Sequence, residues 1–248
     1  LFSHRNKEPE SGVLYIVGTP IGNLNDLSPR AKNILTNVSL IACEDTRQTK
    51  KIMTRFNICN NLISFNKYNY LKKIKRIIGE LKDGNSIGLV SDAGMPIICD
   101  PGVELVKETR LNGLDIICIP GPCAATTALV TSGMPSCRFV FEGFLPNKKT
   151  EREKILLEIS KEERTTIIFE SPHRLNQLLK ELKEYCGGQR EIQVSRELTK
   201  KFEENIVSNL EKVIEIFKDK DIKGEFTLVI TGIKDSEKKE VNRSYLKK

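Results

Sequence analysis

Val13-Leu14-Tyr15-Ile16-Val17-Gly18-Thr19-Pro20-Ile21-Gly22-Asn23 decides how this chain folds. Five uncharged apolar residues run straight into a turn rich in glycine and proline. A short apolar run bounded in this way predicts a strand buried on both faces, as in a parallel sheet. Gly18 to Asn23 then forms the turn at its carboxyl end, where open α/β sheets bind their ligands. The spacing Gly18-x-x-x-Gly22 matches neither the dinucleotide pattern G-x-G-x-x-G nor a phosphate loop ending in Gly-Lys-Ser/Thr. Pro20 also removes an N–H that an anion cradle would use. A nicotinamide or nucleoside-triphosphate enzyme is therefore disfavoured, although an ordinary tight turn explains this segment equally well.

The same alternation continues outward from that strand. Further strands are expected at 40–43, 86–91 and 114–119, again apolar throughout. Leu27, Ala31, Ile34, Leu35 and Val38 fall at helical spacing, with Ser28 as N-cap and Pro29 at the first helical position. Leu71, Ile74, Ile77, Ile78 and Leu81 predict a second helix that stops before Gly84. A small-residue loop and helix across 120–135 joins this half to a second alternating set. There, strands are expected at 138–144, 166–170, 191–195, 203–207 and 225–231, and helices at 149–159, 171–185 and 210–218. The domain reading is a polar segment 1–12, an N-terminal α/β domain 13–122, a C-terminal α/β domain 123–232 and a charged flexible tail 233–248. A cleft between the two domains is the default ligand site.

Composition narrows the class. The net charge is +7 and the hydrophobic content 39%, and no run of about 18 apolar residues is present. The expectation is a soluble cytoplasmic protein without a membrane span or a secretory leader. A first residue of Leu rather than Met leaves the true N-terminus open. Seven scattered cysteines without a CxxC, and only two histidines, disfavour a zinc site. The cysteines read as small buried hydrophobes. The basic balance suits a polyanionic partner or an ordinary lysine-rich surface, and no base-stacking platform stands out.

Candidate chemistry lies at strand ends. Asp92, Ala93, Gly94 and Met95 follow the strand at 86–91; Asp92 can accept hydrogen bonds from a ribose or an amino group, and Gly94 lets a ligand approach the backbone. Asp92 and Asp100 could equally cap turns and the helix starting at Val103. Cys123, Ala124 and Ala125 open a helix with small side chains, which either packs tightly or leaves room for a ligand. In Glu44-Asp45-Thr46-Arg47, Asp45 or Thr46 is a helix cap, while Arg47 could meet a phosphate or a carboxylate bidentately. In Glu170-Ser171-Pro172-His173-Arg174, Ser171 is the expected N-cap. His173 then sits in the first helical turn, whose positive end disfavours imidazolium and suits a general base. An exposed or structural histidine is the bland alternative. Lys200, in Arg196-Glu197-Leu198-Thr199-Lys200-Lys201, belongs to a mixed-charge turn that could simply be solvated.

In order, GTPIGNLNDLSPRA, ACEDTR, SDAGMPIICDPG, PGPCAATTAL, FEGFLP, FESPHR, RELTK and GEFTLVI resemble the ribosomal RNA small subunit methyltransferase I family of the tetrapyrrole methylase superfamily. The resemblance runs from about Leu14 to Gly232. It implies a two-domain α/β fold of the class III methyltransferase type, with S-adenosylmethionine held in the cleft between the domains. It implies 2'-O-methylation of the ribose of a decoding-centre cytidine in 16S rRNA of the small ribosomal subunit, by a homodimer. Cofactor contacts are implied at Pro20, Ile21, Gly22, Asp92, Ala93, Gly94, Met95, Cys123, Ala124, Ala125 and Phe226. No metal is implied. Glu170 or His173 is the expected proton acceptor, Asn23 a ribose-positioning group, and Arg47, Arg174 and Lys200 the RNA contacts. Met95 stands where the family usually has Thr, and Phe169 where it has Tyr. Two alternatives stay open: a methylase of a small molecule such as a tetrapyrrole, and a non-enzymatic RNA-binding assembly factor.

Overall fold

The computed structural model describes residues 7–233. The expected tail beyond Ile233 and the first six residues of the expected polar segment lie outside the described residues. The chain forms two compact units that divide between Cys123 and Ala124.

The first unit is a parallel sheet of β1 (Leu14–Val17), β2 (Leu40–Cys43), β3 (Leu62–Ser64), β4 (Ile87–Val90) and β5 (Ile116–Ile119), in the order β3-β2-β4-β1-β5. Parallel neighbours need long crossovers, and four helices supply them: α1 (Pro29–Asn37), α2 (Thr46–Phe56), α3 (Tyr70–Lys82) and α4 (Val103–Leu111). Ala31, Ile34 and Leu35 of α1 and Ile52 and Met53 of α2 share one core with Tyr15, Val17, Ile41 and Cys43. Ile74, Ile77, Ile78 and Leu81 of α3 and Leu105 of α4 share the opposite core with Leu14, Ile16, Ala42 and Leu89. Adjacent strands β1 and β4 thus feed helices on opposite faces. Their carboxyl ends mark the topological switch point, where the loops part and leave a crevice.

Local chemistry sets the helix starts. Ser28 accepts from the Ala31 N–H at 3.0 Å, with Pro29 next in line. Asp45 caps α2 by accepting from the Arg47 N–H at 2.8 Å. α4 departs from expectation, because Gly102 rather than Asp100 is its N-cap, at φ +141°. A Cβ at that glycine would come within 2.8 Å of Ile97 and 3.0 Å of Leu89. The edge strand β3 was not anticipated: three residues between asparagine-rich turns carry too little periodicity. At the other edge, β5 is less buried than its apolar sequence suggested, with Cys118 exposed.

The second unit begins with α5 (Ala124–Ser132). It continues through β6 (Phe139–Phe144), α6 (Lys149–Lys161), β7 (Thr165–Glu170), α7 (Pro172–Cys186), β8 (Glu191–Arg196), β9 (Glu204–Asn209), α8 (Leu210–Phe217) and β10 (Phe226–Ile230). The sheet order is β6-β7-β10-β8-β9, with β6 parallel to β7 and the other pairs antiparallel. One face packs under α6, α7 and α8 through Leu156, Leu175, Leu178, Val213 and Phe217. α5 packs against β7, β8 and β10. Fully buried Gln193 on β8 donates through Nε2 to the Ala128 carbonyl of α5 at 2.9 Å.

Only Cys43 and Cys186 are buried, and Cys59, Cys99, Cys118 and Cys137 are exposed. The expectation of buried cysteines fails because those four lie in loops or on an edge strand. Among the described residues no helix is long and apolar enough to cross a membrane.

Candidate active site

At the switch point of the first sheet, three loops meet backbone to backbone. The Thr19 N–H donates to the Gly94 carbonyl at 2.9 Å, and the Gly94 N–H returns the bond to Thr19 at 3.1 Å. This bridge ties the loop after β1 to the loop after β4. A Cβ on Gly18 would lie 2.7 Å from the Gly121 Cα and 2.7 Å from the Met95 Sδ, so the loop after β5 touches them too. Gly94 adopts φ +81°, and a Cβ there would be 3.1 Å from Ile21. The loop after β2 joins through the Asp45 N–H, which donates to Asp92 Oδ1 at 3.0 Å. The glycines are required at these crossings because side chains would push the loops apart.

The loop after β4 also holds strained backbone. Ile97 sits at φ 78° and Cys99 at φ 65°. A left-handed β-branched residue costs on the order of 1–3 kcal/mol, and such strain gathers at functional sites.

Carboxylates dominate the electrostatics of this edge. Burial raises the pKa of Glu44, Asp92 and Asp100, and neighbouring charges add to it: Asp100 and Asp92 act on Glu44, and Asp92 acts on Asp100. Asp45 differs. Its hydrogen bonds from the Arg47 side chain and backbone lower it to about 2. A pyrophosphate would be repelled from such a cluster. A cationic ligand with ribose hydroxyls fits it, as a sulfonium nucleoside would, while the glycines at Gly18, Gly94 and Gly121 let the loops that carry these groups close on one another.

The expected cofactor residues fall as follows. Pro20 and Gly94 are buried, Ile21, Met95 and Cys123 half-buried, and Gly22, Asp92 and Ala93 exposed in the first unit. Asn23 is exposed, and its side chain accepts from the Asn25 N–H at 3.1 Å to start a 3-10 turn at Leu24–Asp26. In the second unit, Ala124 and Ala125 open α5, with Ala125 buried. The Phe226 ring packs 6.1 Å from that of Phe217 inside the core, so only its backbone is left for a ligand.

Glu170 was expected to act as a base, but its side chain is fully enclosed. Oε1 accepts from the Ser171 N–H at 2.8 Å and lies 3.3 Å from Arg174 Nε, while Oε2 pairs with Arg152 at 3.5 Å. Ser171 holds the N-cap position without capping through its hydroxyl, which is directed to Glu170 Oε1 at 3.5 Å instead. Arg174 is also committed: beyond Glu170 it donates to Asn147 Oδ1 at 2.5 Å and to the Leu145 carbonyl at 2.7 Å. Lys200 bridges Glu197 and Glu225, each at 2.8 Å. Arg174 and Lys200 are thus occupied by the protein and poorly placed to hold a phosphate. Arg47 pairs with Asp45 at 2.6 Å, yet its side chain is 87% exposed. His173 is exposed in the first turn of α7.

Sequence reading missed Arg152, which is 4% exposed and donates to Glu181 at 2.7 Å. A signal existed: Arg152, Leu156 and Ile159 share one face of α6 at helical spacing. A cation among core positions implies a buried partner.

Comparison with known proteins agrees with this geometry. The sequence model of the family "Tetrapyrrole (Corrin/Porphyrin) Methylases" matches residues 13–214. A Vibrio cholerae protein named ribosomal RNA small subunit methyltransferase I is 45% identical over 93% of this chain and 82% of its own length. A Thermotoga maritima protein of the same name is 44% identical over 89% of this chain and 99% of its own. The crystal structure of uroporphyrin-III-C-methyltransferase from Thermus thermophilus superposes with a TM-score of 0.62 over 93% of this chain and 98% of that one, at 15% identity, and shares the fold. This chain is an S-adenosylmethionine-dependent methyltransferase, and it belongs to the tetrapyrrole (corrin/porphyrin) methylase family, together with the proteins named ribosomal RNA small subunit methyltransferase I.

Proposed function

We propose that this chain methylates ribosomal RNA of the small subunit, at the ribose 2'-hydroxyl of a decoding-centre cytidine. The observation that carries the small-subunit rRNA part of this reading is the identity of about 45%, over most of the chain, with relatives named for that substrate, while the cytidine 2'-hydroxyl follows from the resemblance of the ordered motifs. Membership of that group also supports action as a homodimer in the cytoplasm.

S-adenosylmethionine, when bound, supplies a methyl group carried on a positively charged sulfur. The loops bearing Pro20, Ile21, Gly22, Ala93, Gly94 and Met95 would hold it through backbone groups, aided by Cys123, Ala124 and Ala125. The Asp92 carboxylate accepts from its hydroxyls, and the negative edge around Glu44 and Asp100 suits its positive charge. Asn23 and Arg47, both exposed, orient the RNA ribose and its phosphate. In-line transfer requires the attacking oxygen within about 3–3.5 Å of the methyl carbon.

His173 takes the proton from the 2'-hydroxyl. It is exposed, whereas both oxygens of Glu170 are bonded inside the protein. Glu170 is then a positioning residue that holds Arg174 and the turn at Leu145–Asn147. Replacing His173 by Ala should lower turnover by about 10²- to 10⁴-fold with little change in cofactor affinity. Unchanged turnover would remove it from this role.

The test of the function itself is tritium transfer from labelled S-adenosylmethionine to small ribosomal subunits, free rRNA and tetrapyrroles, with the labelled nucleotide mapped. Label is expected in a single cytidine ribose. Label in a tetrapyrrole and none in RNA would overturn the reading.

A further inference from the structure

Positive charge is distributed unevenly along this chain. From Thr46 to Gly79 there are nine lysines and arginines and no aspartate or glutamate. The net charge of the whole chain is +7, so the remainder is slightly acidic. These residues belong to α2, the edge strand β3 and the first turns of α3. Among the described residues, only Arg47 of the nine forms a salt bridge. Lys67, Lys72, Lys75 and Arg76 are exposed on the approach to α3 and on its outer side. An unpaired basic surface of this density costs stability through self-repulsion and is the electrostatic footprint of a polyanion partner.

Two further features border the sheet edge at β3, the first on the α2 side and the second at the approach to α3 on the other side. An open groove of about 690 Å³ runs along α2 and the start of β3, lined by Lys50, Thr54, Asn57, Asn60 and Asn61 among others. The Asn57 and Asn61 amides and the Thr54 hydroxyl can meet sugar and base edges, whereas Asn60 is held by the Leu35 and Val38 carbonyls. Tyr68 is 85% exposed, with Lys67 Nζ 5.1 Å from its ring centre. An aromatic ring standing free beside a cation is the arrangement on which unpaired bases stack.

The face is continuous with the methyl-donor loops. The N-cap of α2 is Asp45, whose N–H reaches Asp92. Lys67 is close enough to Glu44 to oppose, by its charge, the upward shift caused by burial.

We propose that this face holds a single-stranded segment of the RNA substrate. Its phosphates rest on Lys67, Lys72, Lys75 and Arg76, on the α3 side of the edge, and one base stacks on Tyr68. This rests on the RNA reading above and names the surface that serves it. Arg174 and Lys200, engaged in internal bonds, hold the second unit together instead.

The test uses the full chain and a labelled single-stranded RNA of mixed sequence, with affinity followed by fluorescence anisotropy across a salt series. Cofactor binding is measured separately by calorimetry. A variant carrying Lys67→Gln, Lys72→Gln, Lys75→Gln and Arg76→Gln should bind RNA about 10- to 100-fold more weakly. Its salt slope should be smaller by about 3, since each phosphate contact on a single strand contributes about 0.7. Tyr68→Ala should weaken binding by about 5- to 100-fold while Tyr68→Phe retains it. The charge-matched control, with Lys154, Lys180, Lys212 and Lys218 changed to Gln, should bind as the parent does. If the quadruple variant keeps both affinity and salt slope, or if the control loses as much, the docking face is wrong while the RNA reading stands. If the parent chain binds S-adenosylmethionine but no RNA at low salt, both fall.

Discussion

In the first unit the basic residues from Lys50 to Arg76 reach out without salt-bridge partners. In the second unit Arg152 and Arg174 are drawn inward onto Glu170 and Glu181, while Lys200 is held half-exposed between Glu197 and Glu225. The two populations use the same chemistry for different ends. A cation between carboxylates in a dry site locks elements together, because removing either partner leaves an uncompensated charge. A cation alone on a solvated surface contributes little to stability and stays available to a phosphate. What tells them apart is the neighbouring carboxylate, not the lysine or arginine itself.

The largest expected effect breaks the inward population. Glu170→Ala would leave buried Arg152 with Glu181 alone and strip Arg174 and the Ser171 N–H of their carboxylate, at a cost of about 3–5 kcal/mol in denaturant unfolding. Adding Arg152→Met should recover much of that loss. If Glu170→Ala is instead fully stable but inactive, Glu170 is the proton acceptor after all.

Next comes the glycine contact that shapes the donor site. Gly121→Ala puts a Cβ 2.8 Å from the Gly18 backbone. The expected cost is about 1–3 kcal/mol. S-adenosylmethionine affinity by calorimetry should fall about 10-fold or more as the loops separate, an effect equal to roughly 1.4 kcal/mol or more.

A smaller effect sharpens the comparison between carboxylates. By NMR titration Asp45 should titrate at about 2 and Asp92 above the usual aspartate range. Asp45 is depressed in the fold, so its contribution is complete above the free carboxylate value and is lost only as pH falls toward about 2. Asp92 is raised, so the ionised form that accepts from the cofactor is lost earlier on acidification. Cofactor affinity should weaken on acidification before the ordinary aspartate range is reached, and Asp92→Asn should flatten that dependence. A parent affinity unchanged down to the free aspartate value of about 3.9 would remove Asp92 from the site.

The smallest effect concerns Phe169, whose ring lies 5.0 Å from Phe141 and 5.6 Å from Phe144. Phe169→Tyr should change stability by no more than about 0.5 kcal/mol, as for a substitution outside the core and its networks. A rise in turnover would show that the hydroxyl usual in the family touches substrate.

Much of the fold was legible because its signals are local. Leu14–Val17 and Ile87–Val90 are continuous apolar runs, and Ser28-Pro29 and Asp45 are caps whose partners lie two or three residues away. The edge strands were read less well, since β3 has only three residues and β5 is half-exposed despite its sequence. The donor loops could be named from their glycines. That Gly18 needs to be glycine because Gly121 lies against it could not, as about a hundred residues separate the two.

The sequence by itself determined two alternating α/β halves, strand-end loops without a phosphate cradle, and the family to which the ordered motifs belong. It also carried the run from Thr46 to Gly79 without an acid, which any count along the chain displays. Only the tertiary structure decided which charges are spent. Glu170 meets Arg152 across 18 residues, and Lys200 meets Glu225 across 25. Whether a side chain is free for chemistry depends on partners brought near by the fold, and on the loss of water around them. Neither is written in the neighbouring residues.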